Sequence, residues 1–393
     1  AAIRRAFNEA RTPPTGPTFI AFSANALDEE ADMEIVPNSQ GYFRTGPDAD
    51  AIKEAAGILA NAKNPVILVG DRVAQSGASA EAVRVAEALG APVYATLYSE
   101  MNFPSRHPLF KGGLRWGFPD GREALEGADA VLAIGDTFTG YFFFQDEGAS
   151  SFAPGTKVVH MDASSQTVGK SEPTDVGIIA DPKVGLTQLA DALDSAMSGS
   201  AQEAVRGRSE TVAGETSAAR SAWEARIKER WDMSPMSQER MMAEVAAAIP
   251  DDTIIVDDAV TTRAAVQGAI EFNRPGQVFG ERGGAIGWGI GGGMGAKLAN
   301  PDKPVIAILG DGTAMMTVQG YYTAAIENIP IVYIICNNEA YRVLKVNMDV
   351  YKSLVLGQNP PQSNYMAMDF PQRLDHAALA QAMGVYGVRI EDP

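Results

Sequence analysis

Gly310-Asp311-Gly312, followed after a 24-residue spacer by Asn337-Asn338, constrains this chain more than any other feature. In context the segment reads ILGDGTAMMTVQGYYTAAIENIPIVYIICNNEAY. Residues 305–309 form an apolar strand that delivers Asp311 at its carboxyl end. A helix-length stretch follows, and a second apolar strand over 331–336 delivers Asn338 at its own end. A right-handed β-α-β crossover brings such ends together on one edge of a parallel sheet. A carboxylate, an amide oxygen and a nearby backbone carbonyl then converge with open positions between them. Such a set suits magnesium, with a diphosphate supplying further oxygens and the missing negative charge. The plain alternative is an ordinary β-α-β unit with a turn aspartate and a strand-end asparagine.

Upstream lies a glycine-rich run, Gly283-Gly284-Ala285-Ile286-Gly287-Trp288-Gly289-Ile290-Gly291-Gly292. It contains G-x-G-x-x-G at Gly287, Gly289 and Gly292, and Asp311 ends the next strand about 20 residues on, as in dinucleotide-binding folds. Against a nicotinamide dehydrogenase, the glycines continue through Gly293 and Gly295, which suits a helix packed closely on a neighbour. The acidic residue is already locked between two glycines, and Asn337-Asn338 would have no role. Before this run, Asp257-Asp258-Ala259-Val260-Thr261-Thr262 follows a strand over 254–256 and opens a helix. Free N–H groups and hydroxyls there suit a phosphate; an ordinary N-cap is the alternative for each threonine. Two acids facing inward would oppose a phosphate, so Asp257 and Asp258 are expected to point outward or to pair with Arg263.

With 393 residues, 46% of them apolar, 23 Pro and 39 Gly, the chain reads as globular and long enough for two or three domains. A formal charge of -17 disfavours nucleic acid and anionic membrane surfaces as partners. The single cysteine, Cys336, lies in an apolar strand; it excludes a disulfide framework and suggests packing in a reducing compartment. No signal peptide and no apolar run of about 18 residues is visible, so a cytoplasmic location is expected.

Strands rich in Val, Ile and Leu alternate with helices, which predicts α/β architecture with two doubly wound parallel sheets. Residues 1–30 read as the last helix and strand (PTFIAFS) of a truncated domain, and 31–48 as a linker. A central α/β domain spans 49–198, with strands at 65–69, 92–96, 130–134, 158–161 and 176–180. Residues 199–234 read as a linker and a helix, the small polar stretch 198–215 forming the linker. The motif-bearing domain spans 235–393 and ends just after a strand-like VYGVRI. Both ends look cut from a longer polypeptide.

The GDG and NN motifs, with the segments PVILVGDRVAQSGASAEAVRVAEALGAPVYAT, HPLFKGG and GADAVLAIGD, closely resemble thiamine-diphosphate-dependent enzymes. The superfamily is that of pyruvate decarboxylase and acetolactate synthase, and benzoylformate decarboxylase is nearest in character. The resemblance covers nearly the whole chain. It implies a central domain, a diphosphate-binding domain and the tail of an amino-terminal pyrimidine-binding domain. Asp311 and Asn338 match the side-chain magnesium ligands, and the carbonyl of Ala340 the third. Val260, Thr261 and Thr262 match the diphosphate-side loop, Gly310 and Gly312 flank Asp311 in the cofactor motif, Thr313 adds another hydroxyl toward the phosphate, and Tyr341 takes a position beside diphosphate and pocket. Ile286 matches the aliphatic wedge that bends the cofactor, and the carbonyl of Gly284 the acceptor that orients its 4′-amino group. Core packing is the alternative for Ile286.

The family's activating glutamate belongs to the pyrimidine domain, and no residue here takes that role. Its active sites form between subunits, so a homodimer or homotetramer is implied, and this chain alone is expected to bind cofactor weakly and turn over poorly. The activity implied is non-oxidative decarboxylation of a 2-oxo acid, with carboligation as a second outcome. Alternatives are an acetolactate-synthase-like transferase and a catalytically silent homologue. FAD is disfavoured, because IGDTFTGYFF lacks the arginine associated with that site. His107, His160 and His376 all read as structural. Phe142, in GYFFFQDE, stands where benzoylformate decarboxylase has an active-site histidine. Phe142, Val343, Leu344 and Asn347 are the candidate substrate-pocket residues.

Overall fold

Runs such as PVILV at 65–69 have no polar side, so they can be strands only where both faces are covered. The computed structural model describes residues 1–37, 41, 43–96, 99–138, 150–197, 199–359 and 365–391. Among these, β1 (Pro65–Val69), β2 (Val93–Ala95), β3 (Phe110–Gly113), β4 (Ala130–Ile134), β5 (Lys157–Asp162) and β6 (Val176–Ile179) form one sheet. Its order is β3-β2-β1-β4-β5-β6, parallel throughout. Alternate residues of β1 serve opposite faces. Ile67 and Val69 pack with Leu132 and Ile134 against the helices Ala49–Ala60, Ser79–Leu89 and Pro182–Ala196. Val66 and Leu68 join Val131, Trp116 and Phe138 on the other side. Each such fully buried aliphatic side chain contributes about 1.5–3 kcal/mol.

A second sheet contains β7 (Ile254–Asp258), β8 (Val278–Gly280), β9 (Val305–Gly310) and β10 (Val332–Cys336), in the order β10-β9-β7-β8 and again parallel. Ile255, Ile306 and Ile308 face Met242 and Val266, while Ile254, Val256 and Leu309 face Ile290 and Tyr321. The expected α/β architecture with two doubly wound parallel sheets is therefore present. No helix of the described residues is long and apolar enough to cross a membrane.

Three expectations are corrected. Residues 199–215 are not a linker: they open the 31-residue helix Gly199–Glu229. Its composition misleads because only Val212 and Thr216 are buried, so no apolar stripe marks it. Contacts along its length hold it instead. Arg208 donates to the Leu89 carbonyl at 2.6 Å, and Val205 lies so close that a Cβ on Gly90 would sit 2.5 Å from its carbonyl oxygen. Further on, Trp223 covers Gly268, and Arg226 pairs at 2.8 Å with the buried Glu239. The helix straps one sheet to the other. Second, PTFIAFS forms no strand, and Phe19 is 92% exposed. Third, VYGVRI is also irregular. An apolar run becomes a strand only where a neighbour accepts its backbone bonds, and neither has one among the described residues. Conversely, β3 and β8 are short strands not expected from the sequence.

Candidate functional site

In the second sheet the chain runs from β7 outward to β8, then crosses back to β9 on the other side of β7. The switch point is therefore the β7/β9 boundary, where ligands of such sheets bind. Because the strands are parallel, the loops at 258–262, 281–288, 311–313 and 337–341 all emerge on this one edge. It gathers Val260, Thr261, Thr262, Gly284, Ile286, Gly310, Asp311, Gly312, Thr313, Asn338, Ala340 and Tyr341.

The register Cys336↔Gly310 sets the two motif-bearing ends side by side. Asp311 is nearly buried, and its Oδ2 accepts from the Asn338 and Glu339 amides at 3.2 and 2.7 Å. Its Oδ1 accepts from the Gly312 amide at 2.8 Å. A carboxylate offers about four acceptor positions, so both oxygens retain capacity for an ion. Asn338 Oδ1 accepts from the Ala340 amide at 3.1 Å and keeps a second lone pair. Between them Glu339 adopts φ +55°, a left-handed conformation that costs a non-glycine residue about 1–3 kcal/mol. Phe370 N–H donates to the Glu339 carbonyl at 2.9 Å, whereas among the described residues no backbone N–H donates to that of Ala340. One carboxylate, one amide oxygen and one free carbonyl, held by a strained turn, fit a magnesium ion that also takes phosphate oxygens.

On the β7 side the threonines differ from one another. Thr262 is buried near the Cys336 thiol, and it makes no capping bond to the helix Arg263–Ala269. Burial pushes Cys336 up to about 12, so it is an inert packing thiol. Thr261 is half-buried and Val260 is exposed. Thr313 also departs from the expected extra hydroxyl toward phosphate. Its Oγ1 turns inward, within 3.0 Å of the Asp258 carbonyl and 2.9 Å of the Gly310 carbonyl.

The two acids divide, because β7 runs on through both and adjacent strand residues face opposite ways. Asp257 bonds Arg263 at 3.1 Å as expected, and Arg263 also meets Glu281 at 3.0 Å. Asp258 corrects the expectation. It points neither outward nor to Arg263; it is fully buried and accepts from the Gly287 and Gly289 amides, each at 3.0 Å. Burial raises its pKa to about 6, against the pull of those two amides.

The space beside the glycines of the G-x-G-x-x-G and its continuation is filled by the protein itself. A Cβ at Gly287 would meet Met316 at 2.6 Å, one at Gly292 the Trp288 ring at 2.3 Å, and one at Gly293 the Ile331 Cδ1 at 2.4 Å. Close packing, not a dinucleotide, explains these positions. Gly283, Gly284 and Gly287 have φ of +67°, +75° and +86°, so the loop turns in a way only glycine adopts readily. At its tip Ile286 is 42% exposed, which is not the burial that core packing demands.

Tyr341 packs edge-on against Phe370, and its ring lies 3.4 Å from where a Cβ on Gly312 would stand. Val343, Leu344 and Asn347 lie in the helix Arg342–Leu354, which follows the NN turn and has no fully buried residue. Phe142, with Tyr141, Phe143 and Phe144, lies outside the described residues. His160 is held by the Gly135 carbonyl and the Gly169 amide, and burial lowers its pKa. His107 sits in its turn against Glu87. His376 is closer to the site than the sequence suggested. Both its ring nitrogens are buried without partners among the described residues, and burial lowers its pKa even against the charges of Asp311 and Asp375. No spacing in the sequence signalled this, nor the inward turn of Asp258.

Residues 52–189 match the family described as "Thiamine pyrophosphate enzyme, central domain", and 258–393 match "Thiamine pyrophosphate enzyme, C-terminal TPP binding domain". A probable acetolactate synthase large subunit of Methanococcus aeolicus is 28% identical over 100% of this chain and 65% of its own length. Sulfoacetaldehyde acetyltransferase of Castellaniella defragrans is 27% identical over 91% of this chain and 61% of its own. The chain thus spans less than two thirds of these relatives. The crystal structure of benzoylformate decarboxylase from Polynucleobacter necessarius superposes with TM-score 0.80 at 23% identity, over 100% of this chain and 68% of that one.

Proposed function

We propose, from the premise that this chain belongs to the thiamine-pyrophosphate-dependent enzymes, that it serves a magnesium-dependent, non-oxidative decarboxylase of a 2-oxo acid. The observation that carries this reading is the pairing of β9 with β10, which seats the Asp311 carboxylate on the Asn338 and Glu339 amides beside the Ala340 carbonyl, to which no backbone N–H of the described residues donates. Asp311, Asn338 and Ala340 would hold magnesium, and Gly310, Gly312, Val260, Thr261 and Thr262 would border the diphosphate. Bound there, thiamine diphosphate supplies a carbon nucleophile and an electron sink for loss of carbon dioxide.

The chain's own residues then place and shield. Ile286 presents apolar surface from a loop whose glycines let backbone approach closely, and the Gly284 carbonyl is the proposed acceptor for the cofactor's amino group. Tyr341, Val343, Leu344 and Asn347 are proposed to line the substrate pocket with Phe142, excluding water so that charges inside act strongly. The exposed apolar side chains of the helix Arg342–Leu354, Leu344, Val346, Tyr351 and Leu354 among them, favour coverage by a second copy in a homodimer or homotetramer. FAD stays disfavoured on the sequence ground alone, the arginine missing from IGDTFTGYFF.

Transfer to a second carbonyl, as in an acetolactate synthase, is the second reading. It is favoured by the sequence match that runs the length of the chain. Incubation of the full-length protein with magnesium, thiamine diphosphate and a panel of 2-oxo acids separates the two. Carbon dioxide with an equal yield of aldehyde supports decarboxylation, and a ligated product supports transfer. Absence of both, with tight cofactor binding, would indicate a silent homologue.

A further inference from the structure

We infer that Asp258 is a positioning residue, which latches the loop carrying Gly284 and Ile286 to the turn carrying Asp311. The inference rests on the cofactor reading above and deepens it. Asp258 ends β7 at the switch point, fully buried. One oxygen, Oδ2, accepts both N–H bonds from Gly287 and Gly289, at 3.0 Å each. These amides flank the start of the helix Gly289–Ala299, where a negative charge is favoured. Gly289 is glycine because a Cβ there would stand 2.7 Å from the Cβ of Asp258. Its backbone carbonyl also shares, with that of Gly310, the hydroxyl of Thr313, two residues past Asp311, at 3.0 and 2.9 Å. One residue therefore registers both halves of the site.

The loop's other end is pinned separately. Arg282 pairs with Asp71 at 3.4 Å and with Glu100, both in the first sheet's part of the chain. Between the two pins hang only Gly283, Gly284, Ala285 and Ile286, with two of the four at positive φ. Such a short span has little freedom of its own, so the place of Ile286 follows from its anchors. The carboxylate's second oxygen is buried without a partner among the described residues. The latch thus needs one acceptor oxygen, which an asparagine of the same shape also offers.

The test compares two ligands by titration calorimetry on the full-length protein. Magnesium thiamine diphosphate would use both the loop and the turn, whereas magnesium pyrophosphate would use the turn. Asp258→Ala should weaken thiamine diphosphate about tenfold or more while leaving pyrophosphate within about twofold, and Asp258→Asn should recover thiamine diphosphate to within about threefold of wild type. Equal loss of both ligands, loss of neither, or failure of asparagine to rescue would overturn the latch. Wild-type protein that binds neither ligand would instead overturn the cofactor reading and this inference with it. If Asp258→Ala does not fold, Gly289→Ala presses on the carboxylate from the loop side and should give the same split between ligands; its absence is equally fatal.

Discussion

Replacing Asp258 by asparagine should stabilise the protein, and increasingly so as pH rises. The carboxyl has its pKa raised from 3.8 to about 6, burial being the main cause. Between those values the folded protein holds more protons than the unfolded chain, so stability falls as pH rises, opposite to the usual paired carboxylate. At 1.36 kcal/mol per unit, the raised pKa lowers stability by about 3 kcal/mol at pH 8, where Asp258 is ionised in both states. At pH 5, where the folded protein keeps it protonated and the unfolded chain does not, it lowers stability by about 1.5 kcal/mol. Asparagine keeps the acceptor for Gly287 and Gly289 and removes the buried charge. Its advantage over wild type should therefore roughly double from pH 5 to pH 8. The assay is urea unfolding at both pH values, read by Trp288 fluorescence with the remaining tryptophans replaced by Phe in both proteins. An advantage independent of pH, or larger at pH 5, would refute the account of an ionised carboxylate sealed from water.

Asp311→Ala should lower magnesium-dependent affinity for thiamine diphosphate by about a hundredfold or more, roughly 3 kcal/mol, with an unchanged circular dichroism spectrum; unaltered affinity would remove the metal assignment. Ile286→Ala should cost less than about 1 kcal/mol in stability, because the side chain is already part-exposed, yet lower turnover. A loss confined to stability would return Ile286 to the core. Gly293→Ala should destabilise by about 1–3 kcal/mol, since its methyl would stand 2.4 Å from Ile331 and 3.2 Å from Ala307; an unshifted melting temperature would contradict that packing. His160, whose pKa burial lowers, is held neutral, so its contribution to stability is complete above about pH 6.5 and declines as pH falls below that. His160→Gln should flatten that decline, as measured by urea midpoints from pH 5 to 8.

The parallel sheets and the meeting of Asp311 with Asn338 could be read from the order of residues alone. Strands such as 65–69 and 305–309 are apolar on both sides, which demands cover on both faces, and two adjacent parallel strands must end on one edge. Local chemistry marked these elements, so neighbours in sequence were enough to read them. Tertiary structure decided what depends on a distant partner. PTFIAFS has strand composition but no neighbour to bond, while Gly199–Glu229 lacks an apolar stripe yet forms a helix through Leu89, Gly90, Gly268 and Glu239. Asp258 looked like a surface acid beside Arg263. Only the return of the chain as Gly287 and Gly289 gave its carboxylate two buried donors, and a bond made across about 30 residues of sequence leaves no local pattern.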